Sequence, residues 1–292
     1  MKPDTNLKEL CLDWSVSQSS LHAAAIDLDR FLYVSCGVQC LRKINVATYD
    51  SGGSRLLYIH EHTLCITASF RKNIVGFTRC DSGELESLIE VPKPQMLAHS
   101  RLPDRILCAT ESDGVFEIGI DGNIISTLPG KQCFGDSVLG MMALAGWGDG
   151  GQLTLKNSSH EMSFPMAEFA VLDVLFGEEQ CLVLYANNRI TRYSWNGAVE
   201  HQTIPAEYGR IQWVRHSPRG GNYLIHGAAH PGGFRIWELT WNTGKTRLVN
   251  ELDENWGKLH ASPRLDWGVS TSGRVYCLST GKSMGAFSLV EA

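Results

Sequence analysis

No stretch of about 18 consecutive apolar residues occurs in this chain, so no membrane-spanning helix is expected. The opening residues, MKPDTNLKEL, also lack the apolar core of an export signal, and the chain is expected to be soluble and cytoplasmic. Lysine and arginine are nowhere concentrated. The densest groups are the pairs Arg42-Lys43 and Arg71-Lys72, and the net charge is −5. Binding a phosphate backbone requires clustered cations, so a nucleic-acid partner is not expected. Linkers are missing too: no Pro/Ser-rich or low-complexity tract interrupts the sequence, which predicts a single domain over residues 1–292.

The signatures of chemistry occur only as fragments. Of nine cysteines, most are embedded in apolar segments, as Cys65, Cys108, Cys181 and Cys277 are, and are expected to be free thiols packing as small hydrophobes. Cys36-Gly37-Val38-Gln39-Cys40 has no second Cys/His pair at zinc spacing nearby. Gly281-Lys282-Ser283-Met284-Gly285 spells a nucleophile elbow, but it sits in a terminal hairpin with no room downstream for the acid and histidine. Gly146-Trp147-Gly148-Asp149-Gly150-Gly151 spells a dinucleotide fingerprint. The next residues, Gln152-Leu153-Thr154-Leu155, alternate like a strand where a helix N-terminus is required. No catalytic residue, no metal ligand and no cofactor is therefore assigned.

Glycine is plentiful, with 29 residues, and it falls between short alternating apolar runs. Trp213 to Leu248 reads as three strands and the start of a fourth, with turns at Pro218–Gly221 and His230–Gly233 and an outer strand starting near Thr243-Gly244-Lys245. Ile106 to Thr127 repeats this rhythm with two Asp-Gly turns, which suit the positive φ that tight hairpins demand, and Trp267 to Phe287 repeats it again. One such sheet cannot bury both faces alone, so neighbours are required. First strands beginning near Leu21, Leu64, Met96, Val138, Phe169, Ile211 and Lys258 give seven units spaced 31 to 47 residues apart. A four-stranded propeller blade takes roughly 40–45 residues, so the expected fold is an all-β propeller of seven blades, with six left open. A further strand, Leu7 to Trp14, is expected to complete the last blade and close the ring.

Ser217-Pro218-Arg219-Gly220 and Trp237-Glu238 occupy the places of the Ser-Pro-x-Gly turn and the aromatic-acidic pair of a WD-repeat blade. The chain thus resembles a WD-repeat propeller in architecture, over about an eighth of its length, while no unit shows the Gly-His pair or closing Trp-Asp in full. The resemblance implies a fold and no particular activity.

His60-Glu61-His62 is expected in an interblade loop, where the alternation of an extended chain projects only two imidazoles together, short of the three ligands of catalytic zinc. His99 and His260 fall in expected first strands, which line a propeller's channel; this is the argument for a small-ligand binder or a propeller hydrolase or lactonase. Aromatic residues in turns argue instead for a protein partner. In propellers the connections entering first strands and those joining second to third strands share one face. Trp147, Trp256, Tyr208, Glu61, Asp113, Asn187 and His230, with the acidic pair Asp253 and Glu254, are predicted to gather there. The expected function is non-catalytic protein binding, with acidic residues steering a basic partner. Two concrete roles fit: an immunity protein acting as antitoxin, and an adaptor subunit of a larger complex.

Overall fold

The computed structural model describes residues 11–27, 31–46, 56–60, 63–146, 151–166, 169–220, 222–228, 234–252 and 259–287. Every strand pairs with its sequence neighbour, producing seven four-stranded antiparallel sheets, a seven-bladed β-propeller. The sheets fall into two compact units. One holds blade 1, made of β1 (Cys11–Val16), β2 (His22–Asp27), β3 (Phe31–Cys36) and β4 (Gln39–Asn45), and blade 2, made of β5 (Leu56–His60), β6 (Leu64–Ser69), β7 (Ile74–Arg79) and β8 (Leu85–Glu90). The other unit begins with blade 3, comprising β9 (Pro94–His99), β10 (Arg105–Thr110), β11 (Val115–Gly119) and β12 (Ile124–Leu128), then blade 4, comprising β13 (Gln132–Asp136), β14 (Met141–Ala145), β15 (Gln152–Lys156) and β16 (Glu161–Pro165). It continues with blade 5, β17 (Val171–Phe176), β18 (Gln180–Tyr185), β19 (Arg189–Ser194) and β20 (Val199–Thr203), and blade 6, β21 (Arg210–His216), β22 (Asn222–Ala228), β23 (Phe234–Thr240) and β24 (Lys245–Leu252). Blade 7, in the first unit, holds β25 (Leu259–Ala261), β26 (Trp267–Ser270), β27 (Arg274–Cys277) and β28 (Ser283–Ala286).

First strands lie innermost within each unit: β9 meets β13, β13 meets β17, β17 meets β21, and β1 meets β5. Second strands are covered on both faces, so β6 and β14 are buried at every position, whereas the fourth strands β8, β12 and β20 are mostly exposed. That gradient explains where the sequence misleads. The expected starts at Met96, Phe169, Ile211 and Lys258 lie within two residues of the observed first strands. Leu21 and Leu64 instead adjoin or open second strands, and Val138 lies in the β13–β14 turn. The inner strands of a blade are all apolar, as LLYIH of β5 and LCITAS of β6 are, so a second strand reads like the start of a new unit. The expected closure by the N-terminal strand is likewise overturned. β1 pairs with β2 as the first strand of its own blade, and the last blade has four strands of its own; residues 7–10 lie outside the described set.

A buried side chain caps the turn after the first strand in five blades: Ser17, Ser100, Asp136, Ser217 and Ser262. Each accepts a backbone N–H from two or three residues on, for example Ser19 N to Ser17 Oγ (3.2 Å), Val138 N to Asp136 Oδ1 (3.0 Å) and Arg219 N to Ser217 Oγ (3.2 Å). The side chain thereby replaces a backbone partner that the turn cannot supply. A second device stands before third strands, where Asn73, Gly114, Asn188 and Gly273 all adopt positive φ. Only glycine and asparagine take that conformation cheaply. At Gly114 a Cβ would also lie 2.6 Å from the Leu128 carbonyl oxygen, so glycine is required twice over.

Candidate protein-interaction face

The motif halves that suggest a WD-repeat blade, 21 residues apart in sequence, meet in blade 6. Ser217 Oγ donates to Glu238 Oε1 (2.7 Å), Arg247 Nη2 donates to Glu238 Oε2 (2.7 Å), and the Arg219 guanidinium lies 3.5 Å from the same oxygen. Burial pushes the Glu238 carboxyl up, but the hydrogen bonds from Arg247 and Ser217 outweigh it and hold the group below the usual carboxylate range. Blade 3 repeats the arrangement: Ser100 Oγ donates to Glu117 Oε1 (2.9 Å) and Arg105 Nη1 to Glu117 Oε2 (3.1 Å). Sequence reasoning misses this second copy, although Phe116-Glu117 is an aromatic-acidic pair of the same kind as Trp237-Glu238. These networks satisfy buried polar atoms inside blades and leave the opposite turns free to vary.

In an antiparallel meander, the turn between second and third strands and the connection into the next first strand lie at the same end of the sheet. In blades 4 to 6 side-chain amides clamp that end from one blade to the next. Gln132 Nε2 donates to the Val171 carbonyl (2.7 Å) and its Oε1 accepts from Val171 N (3.1 Å), tying blade 4 to blade 5. Asn188 repeats the clamp between blades 5 and 6, donating to the Gly209 carbonyl (2.7 Å) and accepting from Ile211 N (2.9 Å). Side-chain amides thus take over backbone pairing where one first strand passes to the next.

Between blades 3 and 4 this end opens into a groove of about 600 Å³. Its walls are the β10–β11 turn with Ser112 and Asp113, the β12–β13 connection with Pro129 and Lys131, and Gln152 and Thr154 of β15. Four glycines, Gly114, Gly130, Gly146 and Gly151, also line it. Asp113 is exposed, with its carboxylate accepting from the neighbouring Ser112 hydroxyl (2.9 Å). At the same end of their blades stand the exposed Asn187, the exposed Glu207, and Phe169, 42% exposed in the β16–β17 connection. Phe169, two residues before β17, is an exposed aromatic in a loop.

Tyr208 belongs to this end but is folded back. Its ring stands edge-on to Trp237 at 5.1 Å between centroids, and its hydroxyl accepts from Thr246 Oγ1 (2.7 Å). Trp147, Trp256, His230, Asp253 and Glu254 lie outside the described residues, as does Glu61. By position in the chain, the first five fall in connections of the expected kind: Trp147 between β14 and β15, His230 between β22 and β23, and the other three between β24 and β25. Glu61 does not. It falls between β5 and β6, within blade 2 rather than between blades, because β5 is the first strand of its blade and not the last of the one before. It leaves the predicted grouping for that reason.

His99 and His260 do lie on first strands, at the end of β9 and in the middle of β25, and His60 ends β5 as a buried residue. Among the described residues, no three His, Cys, Asp or Glu side chains cluster as a metal site would require.

No family model matches the sequence, and no curated protein sequence matches it significantly. Solved structures do. The chain is similar to the WD40 repeats of RRP9, with a TM-score of 0.65 at 14% identity, covering 89% of this chain and 86% of that one. It is similar to U3-55K, with a TM-score of 0.65 at 14% identity, covering 89% and 88%. A chain of a mitotic checkpoint complex also matches, with a TM-score of 0.63 at 13% identity, covering 90% and 87%.

Proposed function

We propose that this WD-repeat-like β-propeller is a non-catalytic protein-binding module, whose partner docks on the end of blades 3 to 6 that carries the groove. The observation carrying this reading is the groove itself: about 600 Å³, glycine-lined and flanked by the exposed Asp113 and Lys131. A concave surface of this kind, with charged side chains at its rim, suits a protein interface. Phe169 supplies an exposed aromatic on the same end, and Trp147 stands in the connection between two groove-lining glycines. That one of the similar propellers was solved within a mitotic checkpoint complex supports a partner-bound role.

The partner is a basic protein, steered by Asp113, Glu207 and the acidic connection containing Asp253 and Glu254. The role is stoichiometric neutralisation of a toxin in the cytoplasm, with an adaptor subunit as the alternative. Capture with the purified chain from its native host, followed by mass spectrometry, tests this. A stoichiometric partner lost on Trp147→Ala supports the reading, and a partner retained by both Trp147→Ala and Asp113→Lys overturns the face. A toxin gene adjoining this one selects the immunity role. His99 and His260 on first strands favour a second reading, a channel-bound small ligand or hydrolase. Bound stoichiometric metal, or hydrolase activity lost in His99→Ala or His62→Ala, would establish that reading.

A further inference from the structure

Two thiols in blade 2 stand where packing alone does not require a pair. Cys65 Sγ and Cys80 Sγ are 3.4 Å apart, and both side chains are buried in the cluster that joins blade 2 to blade 1 through Ile44, Val46 and Ala24. The register explains the approach. Cys65 lies opposite Thr78 in the β6–β7 ladder, and Cys80, two residues further on, donates its N–H to the Thr63 carbonyl (2.8 Å). The two cysteines are therefore diagonal neighbours on one face of the hairpin, a relation within reach of side-chain contact. The turn beyond Cys80 is held in place: Gly83 N donates to the Arg79 carbonyl (3.0 Å), and Arg79 pairs with Asp81 at 2.8 Å.

We propose that Cys65 and Cys80 form a thiol-modification site that takes a peroxide-class oxidant and closes reversibly to a disulfide, locking the β6–β7 hairpin. Cys80, 6% exposed against 0% for Cys65, is the thiol that meets the oxidant. Its sulfur attacks one peroxide oxygen, the O–O bond breaks, and water leaves, giving a sulfenic acid on Cys80. The Cys65 sulfur then attacks the Cys80 sulfur and displaces the hydroxyl, which leaves as a second water carrying the Cys65 proton. Two thiols are oxidised by two electrons and one peroxide is reduced to two waters. The hydrogen bond to Cys80, followed by burial, holds the Cys65 thiol well above its ordinary pKa, which slows the second, disulfide-closing step. The gap between the sulfurs must shorten by about 1.4 Å to reach bonding distance, a movement of side chains more than of strands.

The test uses the purified full chain treated with stoichiometric hydrogen peroxide, digested without reductant and mapped by mass spectrometry. The expected product is a Cys65–Cys80 linked peptide, lighter by two hydrogens and restored by dithiothreitol, with the Tm of the intact protein raised by about 5 °C. Cys65→Ala and Cys80→Ala are expected to abolish both the link and the Tm rise. Sulfinic acid on Cys80 without a link, or a link joining other cysteines, overturns the site; a link that leaves Tm unchanged overturns the lock. Should either variant fail to fold, the wild-type peptide map decides alone.

Discussion

Blades 4 and 6 each carry an opposite-charge pair between third and fourth strands, and burial decides what each pair is worth. Lys156 of β15 and Glu238 of β23, both on third strands, each face a partner of opposite sign on the outer strand: Glu161 for Lys156 and Arg247 for Glu238. The Lys156–Glu161 pair spans only two strands, and its side chains are 34% and 56% exposed. Glu238 is 6% exposed and reaches inward as well, joining the Ser217 turn to the third and fourth strands. In blade 4 the residue that stands where Ser217 does, Asp136, instead caps its own turn through Val138 N and Leu139 N. The same cross-strand pairing is thus structural in one blade and decorative in the other, and blade 4 is the one that helps line the groove.

Charge reversal is the strongest way to break the comparison. Glu238→Arg combined with Arg247→Glu keeps an opposite-charge pair across the strands, yet it buries a guanidinium against Ser217 and is expected to cost about 3–5 kcal/mol. Lys156→Glu with Glu161→Lys reverses an exposed pair and should change stability by no more than about 0.5 kcal/mol. Urea denaturation of both double variants checks this, and equal costs would show that the buried third contact contributes nothing.

Much of blade 6 is legible in the sequence because its stabilising contacts are local in pattern: a Ser-Pro turn, an aromatic-acidic pair and alternating strands each announce themselves within a few residues. Blade 3 carries the same contact between Ser100 and Glu117, but its turn reads Ser-Arg-Leu-Pro, which hides the likeness. Blades 1 and 2 read one strand late because a first strand such as Leu56–His60 (LLYIH) is as apolar as the second strand it precedes, so an apolar run does not tell which of the two opens the blade. The face is legible where a turn residue is polar and exposed, as at Asp113 and Asn187. It is illegible where aromatic residues take opposite fates: Tyr208 packs onto Trp237 and Phe169 faces solvent, and no local pattern separates a loop ring that returns to its blade from one that does not.

On that face, Phe169→Ala and Asp113→Lys sharpen the contrast from the other side. Both residues are exposed and outside the Glu238 network, so each should leave unfolding free energy within about 0.5 kcal/mol. Partner affinity should fall roughly tenfold in each, about 1.4 kcal/mol, as read by calorimetric titration. A variant that unfolds would assign its side chain to the core.

A smaller effect comes from titration. The folded Glu238 carboxyl lies below its ordinary value, so its contribution is complete above the usual range near ~4.3 and is lost as pH falls through the folded value. Wild type should therefore lose more stability than Glu238→Gln on acidification below that range, with parallel slopes above it. Parallel slopes throughout would mean that Glu238 is not held ionised by its partners.

The smallest change is expected from Lys156→Ala. Its ammonium donates to Glu161 at 2.6 Å, but both side chains are well hydrated, so the Coulomb gain is offset by the entropy of holding two long chains in place. The expected loss is about 0.3 kcal/mol, and it should shrink further in 1 M salt, where the screening length falls to ~3 Å. Glu238→Ala under the same salt should keep nearly all of its cost, because a buried carboxylate is screened little and its removal strands Ser217 and Arg247. Salt dependence therefore separates the two pairs even where single unfolding energies leave them close.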